Sequence, residues 1–286
     1  MSTDALPPGA FSFRVRWGAV VRFGILAVAV AVSVFPVLVM IDTAIKPSAE
    51  IAEVQRWIPV APTGQFFVHE LESSQLWLSL RNSAIIATGV TVLSLLLAVP
   101  ASYILARRAF RGNRTYLNVV LVTQTMAPAV LIIPLFSLFH RFHLLNSYAG
   151  VILVSSAFVL PFSIWLLTAF FRQVSIEIEE AAALDMATGL RFLTRFMIPM
   201  CLPGIAATAI WQFMYGWNEF MFSLTFLSGA SSKWPLTVQV YSSIGEYSVA
   251  WQPLMVTALM GVIPTFILFL ALRRWFEVGL GQTLAS

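Results

Sequence analysis

The sequence holds a single cysteine, Cys201, and two lysines, Lys46 and Lys233, in 286 residues. One cysteine excludes an intrachain disulfide and any cysteine-cluster metal site. Neither lysine follows a glycine, so a phosphate-binding loop is missing and the chain does not hold ATP by that route. Histidine is almost as scarce. His69, His140 and His143 all fall in or beside connecting segments, and the i, i+3 pair His140/His143 lacks a carboxylate or third ligand nearby. Interfacial histidines fit better than a metal site. The HExxH and GxSxG patterns are missing too, as is any acidic metal cluster, so no catalytic constellation is visible.

Charge is equally thin. Charged residues make up 10% of the chain, where a soluble domain carries roughly a quarter. A formal charge of +4 at first suggests nucleic acid, but the basic residues flank apolar runs and form no tract or aromatic-basic patch.

What is present is hydrophobic length. With 59% apolar residues and a mean hydropathy of +0.84, the sequence reads as an all-α integral membrane protein. A helix needs about 20 apolar residues to cross the hydrocarbon. Six segments qualify, at 22–45, 82–106, 115–139, 148–171, 203–227 and 253–275. A polar, Pro-rich, then basic segment, 1–21, precedes them, and a tail, 276–286, follows. The first apolar run is too long for a signal-peptide core and reads as a retained span.

The connections alternate in charge. Arg14, Arg16, Arg22, Arg107, Arg108, Arg111, Arg114, Arg172, Arg191, Arg195, Arg273 and Arg274 lie on one side, against Lys46, Arg56, Arg81, Arg141 and Lys233 on the other. By the positive-inside rule both termini are cytoplasmic. The external connections are then 46–80 and 228–252, the second Ser- and aromatic-rich. It reads equally as a lid or partner contact and as a connector. Pro36, Pro100, Pro128, Pro134, Pro161 and Pro264 are expected to interrupt nearly every span.

Ionisable residues within spans are few. Glu219, in WNEF (217–220), reads as a polar cluster with Trp217 and Asn218 midway along the fifth span, and Asp42 lies near the end of the first. Such residues face a bundle interior or a watery cavity, so both are candidate pathway residues. They leave an ion-coupled transporter open as an alternative, though two scattered carboxylates support a proton relay thinly.

The cytoplasmic connection 172–202 differs from a plain loop. In SIEIEEAAALDMA, Ser175 is a candidate N-cap with acidic residues in the early turns. Ala181–Ala183 favour helix and leave a smooth face. Gly189 permits a break, and RFLTRFMIP resumes a helix ending at Pro199 and Pro203. A short helix–turn–helix results, either a partner-docking element or a surface elbow.

This segment resembles the EAA loop of permease subunits of ATP-binding cassette (ABC) importers, whose pattern is EAA, three residues, Gly, nine residues, then I-x-L-P. Glu180, Ala181 and Ala182 match, Met186 stands where Gly belongs, Phe196 replaces Ile, and Ile198 and Pro199 close the pattern. Further segments are similar to the family in order: FPVLVMIDTAIKP (35–47), RNSAIIA (81–87), AVPASYILARRAFRG (98–112), APAVLIIPLF (127–136), LPFSIWLLTAFF (160–171) and WNEF (217–220). They resemble the carbohydrate-importer branch, in particular its maltose-permease-like second permease.

The resemblance implies a type I importer fold, with a permease domain at 22–275 and a coupling helix docked in a cleft of a separate ATPase. Glu179, Glu180, Ala181, Ala182, Asp185, Gly189 and Pro199 would form the coupling element, with Glu180 helping to anchor it. Tyr215, Trp217, Asn218, Glu219 and Asp42 would be pathway candidates, the aromatics able to stack on a pyranose. Lys233, Trp234, Tyr241, Glu246 and Tyr247 would meet an extracytoplasmic solute-binding protein or lipoprotein. Implied partners are a second homologous permease, two ATPase copies and the bilayer. No cofactor is implied on this chain, because ATP and magnesium belong to the ATPase.

Overall fold

The computed structural model describes residues 17–53, 59–107, 127–245 and 249–283, with 115, 119, 122 and 124 as isolated positions. The described residues are almost entirely helical. In chain order they form α1 (Trp17–Ile45), α2 (Ser48–Glu53), α3 (Gln65–Glu72), α4 (Ser74–Arg107), α5 (Pro128–Arg141), α6 (Tyr148–Gln173), α7 (Ile176–Leu184) and α8 (Leu190–Met200), with α9 (Leu202–Trp217), α10 (Met221–Phe226), α11 (Leu236–Ser242) and α12 (Trp251–Thr283).

Among the described residues, four helices, α1, α4, α6 and α12, are long and apolar enough to cross a membrane. A fifth crossing arises only if α8 and α9, bent by 83° at Cys201, are taken together. The first half of the expected third span lies outside the described residues apart from those isolated positions; its remainder is α5, 14 residues long.

Several sequence expectations are corrected. The helices run without a break through Pro36, Pro100, Pro134, Pro161 and Pro264. Pro128 sits in the first turn of α5, where its missing N–H costs nothing. The breaks fall elsewhere, at Cys201 and at residues 218–220. The helix after the α7 turn continues past Pro199 to Met200, with a π-helical stretch at Leu193–Met197 just before the proline. Loosening that turn accommodates a residue without an N–H. The connection 46–80 is not a plain loop, since it holds α2, α3 and the first turns of α4. The connection 228–252 likewise contains α11 and a bridge between Ile244 and Val249.

The bundle centres on α4, packed against α6 and α9. The reason is a stripe of small residues. Ser79, Ser83, Ala87, Ser94, Ala98 and Ser102 are all fully buried on α4. Between helices in lipid the hydrophobic effect gives no drive, so close approach and interhelical hydrogen bonds do the joining. Ser102 Oγ donates to the Ile164 carbonyl at 3.1 Å, and Gln212 Nε2 donates to Ser163 Oγ at 2.9 Å. Each such bond contributes on the order of 0.6 kcal/mol. Gly216 of α9 comes so near that a Cβ there would lie 2.8 Å from Ala87 Cα. In contrast, the apolar face of α1 is unburied along its whole membrane-length window.

A second core lies beneath α7. Phe171, Ala182, Ala187, Phe192, Leu193, Met197 and Cys201 form one cluster. The charged surface of α7 marks this end as water-facing, so burial here is driven by water exclusion, worth about 2 kcal/mol for a ring such as Phe192.

Candidate functional site

The first candidate element is the α7 turn. Ser175 caps α7, its Oγ accepting from Glu177 N at 3.2 Å. The helix ends in a Schellman motif. Met186 N donates to Ala183 O at 3.0 Å and Ala187 N donates to Ala182 O at 2.9 Å. Met186 is therefore the left-handed residue, at φ 56°. The family pattern has Gly here because such a residue closes the helix most easily. Met186 makes the same turn, held by the contact between Ala182 and Ala187 inside the core. Gly189, at φ 56° and ψ −123°, makes a second turn into α8.

The sequence-predicted coupling residues divide by this geometry. Glu180, Ala181, Asp185 and Gly189 are exposed, together with Leu184, Met186 and Leu190. Pro199 is exposed in the last turn of α8. Ala182 faces inward, in one buried cluster with Phe171 and Phe192. Glu179 is drawn toward α4. Tyr103 Oη donates to its Oε1 at 2.9 Å, and Arg107 Nε lies 3.2 Å from its Oε2. Sequence reasoning missed Tyr103 and counted Arg107 only as a flanking charge.

The second element is the break at residues 218–220. Glu219 does not sit inside a helix, as the sequence suggested. Asn218 caps α9, its Nδ2 donating to the Met214 carbonyl at 2.8 Å. Glu219 caps α10. Its Oε1 accepts from Phe222 N at 2.7 Å, and its Oε2 accepts from Ser223 N at 2.9 Å and from Ser223 Oγ. A carboxylate suits a helix N-terminus, where free N–H groups and the dipole are positive. The Glu219 carbonyl accepts from Thr237 Oγ1 at 2.6 Å, tying the break to α11.

Two pockets flank this break. One, of about 380 Å³, is lined by Tyr215, Asn218, Glu219 and Pro128 among others. Another, of about 490 Å³, lies between α9, α11 and α12, with Trp217, Asn218 and Phe220 in its wall. Trp217 is buried; it stacks on Phe213 at 5.8 Å and donates through Nε1 to Gly261 O at 3.2 Å. Asp42 joins neither pocket. It pairs with Lys46 one turn on, a partner that the sequence reading overlooked.

Of the expected binding-protein contacts, Glu246 and Tyr247 lie outside the described residues. Lys233 and Trp234 are half-buried and turned toward the bundle. Lys233 Nζ donates to Asn146 O at 2.7 Å and lies 5.8 Å from the Tyr148 ring centre. Trp234 Nε1 donates to Leu227 O at 3.0 Å, while Asn82 Nδ2 donates to the Ser232 and Trp234 carbonyls. Tyr241 is exposed, with an edge-on contact to Phe220.

Comparison with known proteins gives a consistent answer. Residues 98–281 match the family described as binding-protein-dependent transport system inner membrane component. The sulfoquinovosyl glycerol transport system permease protein of Agrobacterium fabrum is 30% identical over 282 residues, 98% of each chain. A diacetylchitobiose uptake system permease protein of Streptomyces coelicolor is 34% identical over 195 residues, covering 68% of this chain and 64% of the relative. Among solved structures, a chain of a bacterial ABC transporter involved in the import of the acidic polysaccharide alginate superposes with a TM-score of 0.76. It covers 94% of this chain at 22% identity, so it speaks to the fold. The chain belongs to the family of inner membrane components of binding-protein-dependent transport systems and is an ABC transporter permease, not an enzyme.

Proposed function

We propose that this chain is one of two homologous permease subunits in a bacterial importer for a sugar or a sugar-bearing solute. In this reading it crosses the cytoplasmic membrane six times with both termini inside. Two copies of a separate ATPase drive alternating access, and an extracytoplasmic solute-binding protein or lipoprotein delivers the solute. Both relatives named above carry sugar-based substrates in their names, which supports a carbohydrate over a polyol or a glycerol-phosphate compound.

The observation that carries the reading is the α7 turn. A capped helix presents Glu180, Leu184, Asp185 and Met186 outward, while Ala182, with Ile178, keys it into a core shared with α4, α6 and α8. Pressure on such an element moves the helices behind it. The capping role of Glu219 weighs against an ion-coupled alternative, because both its oxygens already accept hydrogen bonds.

The test is co-purification in mild detergent, followed by reconstitution. The wild-type chain is expected to retain an ATPase and a second permease. Glu180→Lys is expected to reach the membrane at the wild-type level, yet hydrolyse ATP without importing solute. If the chain purifies alone and moves solute unaided, the reading fails.

A further inference from the structure

Glu179 and Glu180 are neighbours with opposite destinations. Glu180 faces outward, whereas Glu179 is held against the last turn of α4. The Arg107 side chain is only 8% exposed. Its Nε lies against Glu179, and its Nη2 donates to the Val174 carbonyl at 2.8 Å, just ahead of α7. Tyr103 joins from one turn earlier on α4, and its ring leans on Phe192 of α8 at 6.2 Å. In the reverse sense, Arg172 at the end of α6 reaches the Leu105 carbonyl of α4 at 3.5 Å. The turn is therefore fastened to a helix that is not its neighbour in the chain, some 70 residues earlier.

We propose that Tyr103, Arg107 and Glu179 form a latch that delivers movement of the α7 turn to α4. Covalent linkage alone would pass a pull on α7 only to α6 and α8. The latch adds α4, the helix around which the bundle packs. The guanidinium is almost buried, so drawing it from Glu179 leaves a charge with little water to replace the carboxylate, and the ion pair together with the Tyr103 hydrogen bond resists separation. Glu179 and Arg107 are positioning residues in this scheme, and docking is left to the exposed side of the turn. The proposal rests on the functional reading given above.

The experiment uses the whole transporter in liposomes and measures solute imported per ATP hydrolysed. Glu179→Gln and Arg107→Gln are each expected to keep the ATPase bound and hydrolysing. Transport per ATP should fall about fivefold or more, the lower end of typical coupling between sites. The double variant should be no worse than the poorer single, because both break one link. Tyr103→Phe and Arg107→Lys, which disturb folding less, decide the matter should the stronger variants fail to accumulate. Unchanged transport per ATP in assembled variants overturns the proposal. So does loss of the ATPase from Glu179→Gln, which would make Glu179 a docking residue. A wild-type chain that holds no ATPase removes the functional reading itself, and the latch with it.

Discussion

Replacing Glu219 separates a structural cap from a transport carboxylate. The residue is 6% exposed and receives two backbone N–H groups of α10 and the Ser223 hydroxyl. Glu219→Ala leaves two buried N–H donors without acceptors. Each stranded donor costs about 1–3 kcal/mol, so together they cost roughly 2–6 kcal/mol. Glu219→Gln keeps one carbonyl oxygen and should lose about half as much. For a chain of this size, 1 kcal/mol corresponds to about 2 °C. Thermal unfolding of the purified complex in detergent should therefore rank wild type above Gln and Gln above Ala. The drop for Ala is on the order of 4–12 °C. If both variants unfold at the wild-type temperature while import is lost, the capping account is wrong and Glu219 acts on the solute or on an ion.

Two further outcomes follow from the turn and from α3. Met186→Val places a β-branched residue at φ 56°, and native-state trypsin cleavage at exposed Arg191 should quicken about fivefold, for about 1 kcal/mol of added strain. Met186→Gly should be cut no faster than wild type, and equal rates for Val and Gly would refute the strained-turn argument. Burial of α3 raises the Glu70 carboxyl above its ordinary value, opposed by His69 and by a hydrogen bond with Thr257 of α12. A raised carboxyl favours the folded state at low pH, and that contribution is lost as pH rises through the folded-state value. Unfolding midpoints measured between pH 4 and pH 7 should accordingly show a steeper decline for wild type than for Glu70→Gln, and parallel curves would show that Glu70 is not the cause.

Much of this architecture was legible in composition. The ends of α1 and α6 fall close to the hydropathy boundaries, because uninterrupted apolar length is a property of local sequence. The break at 218–220 was hidden for the same reason. Three residues inside FMYGWNEFMFSLTF barely lower a window average, and only hydrogen-bond partners reveal two helices capped back to back. Met186 gave no turn signal, since methionine has no preference for left-handed backbone. The turn is imposed by Ala182 and Ala187 closing on each other within a core. The capped α7 turn was visible through the pattern that the sequence resembles, yet the division between Glu179 and Glu180 was not. It depends on Tyr103 and Arg107, far away in the chain.

The serine and alanine stripe of α4 has a mechanical consequence. Large interlocking side chains act like gear teeth, and sliding past them means climbing over each one. A row of Ser79, Ser83, Ala87, Ser94, Ala98 and Ser102 has no teeth of that height. Along this row, set among the larger buried Leu76, Ile86, Val90 and Leu105, the neighbouring helices come close with little side chain between them, and Ser102 adds a weak hydroxyl bond to α6. A helix driven at one end would meet a lower barrier to sliding along such a row than along a row of large interlocking side chains.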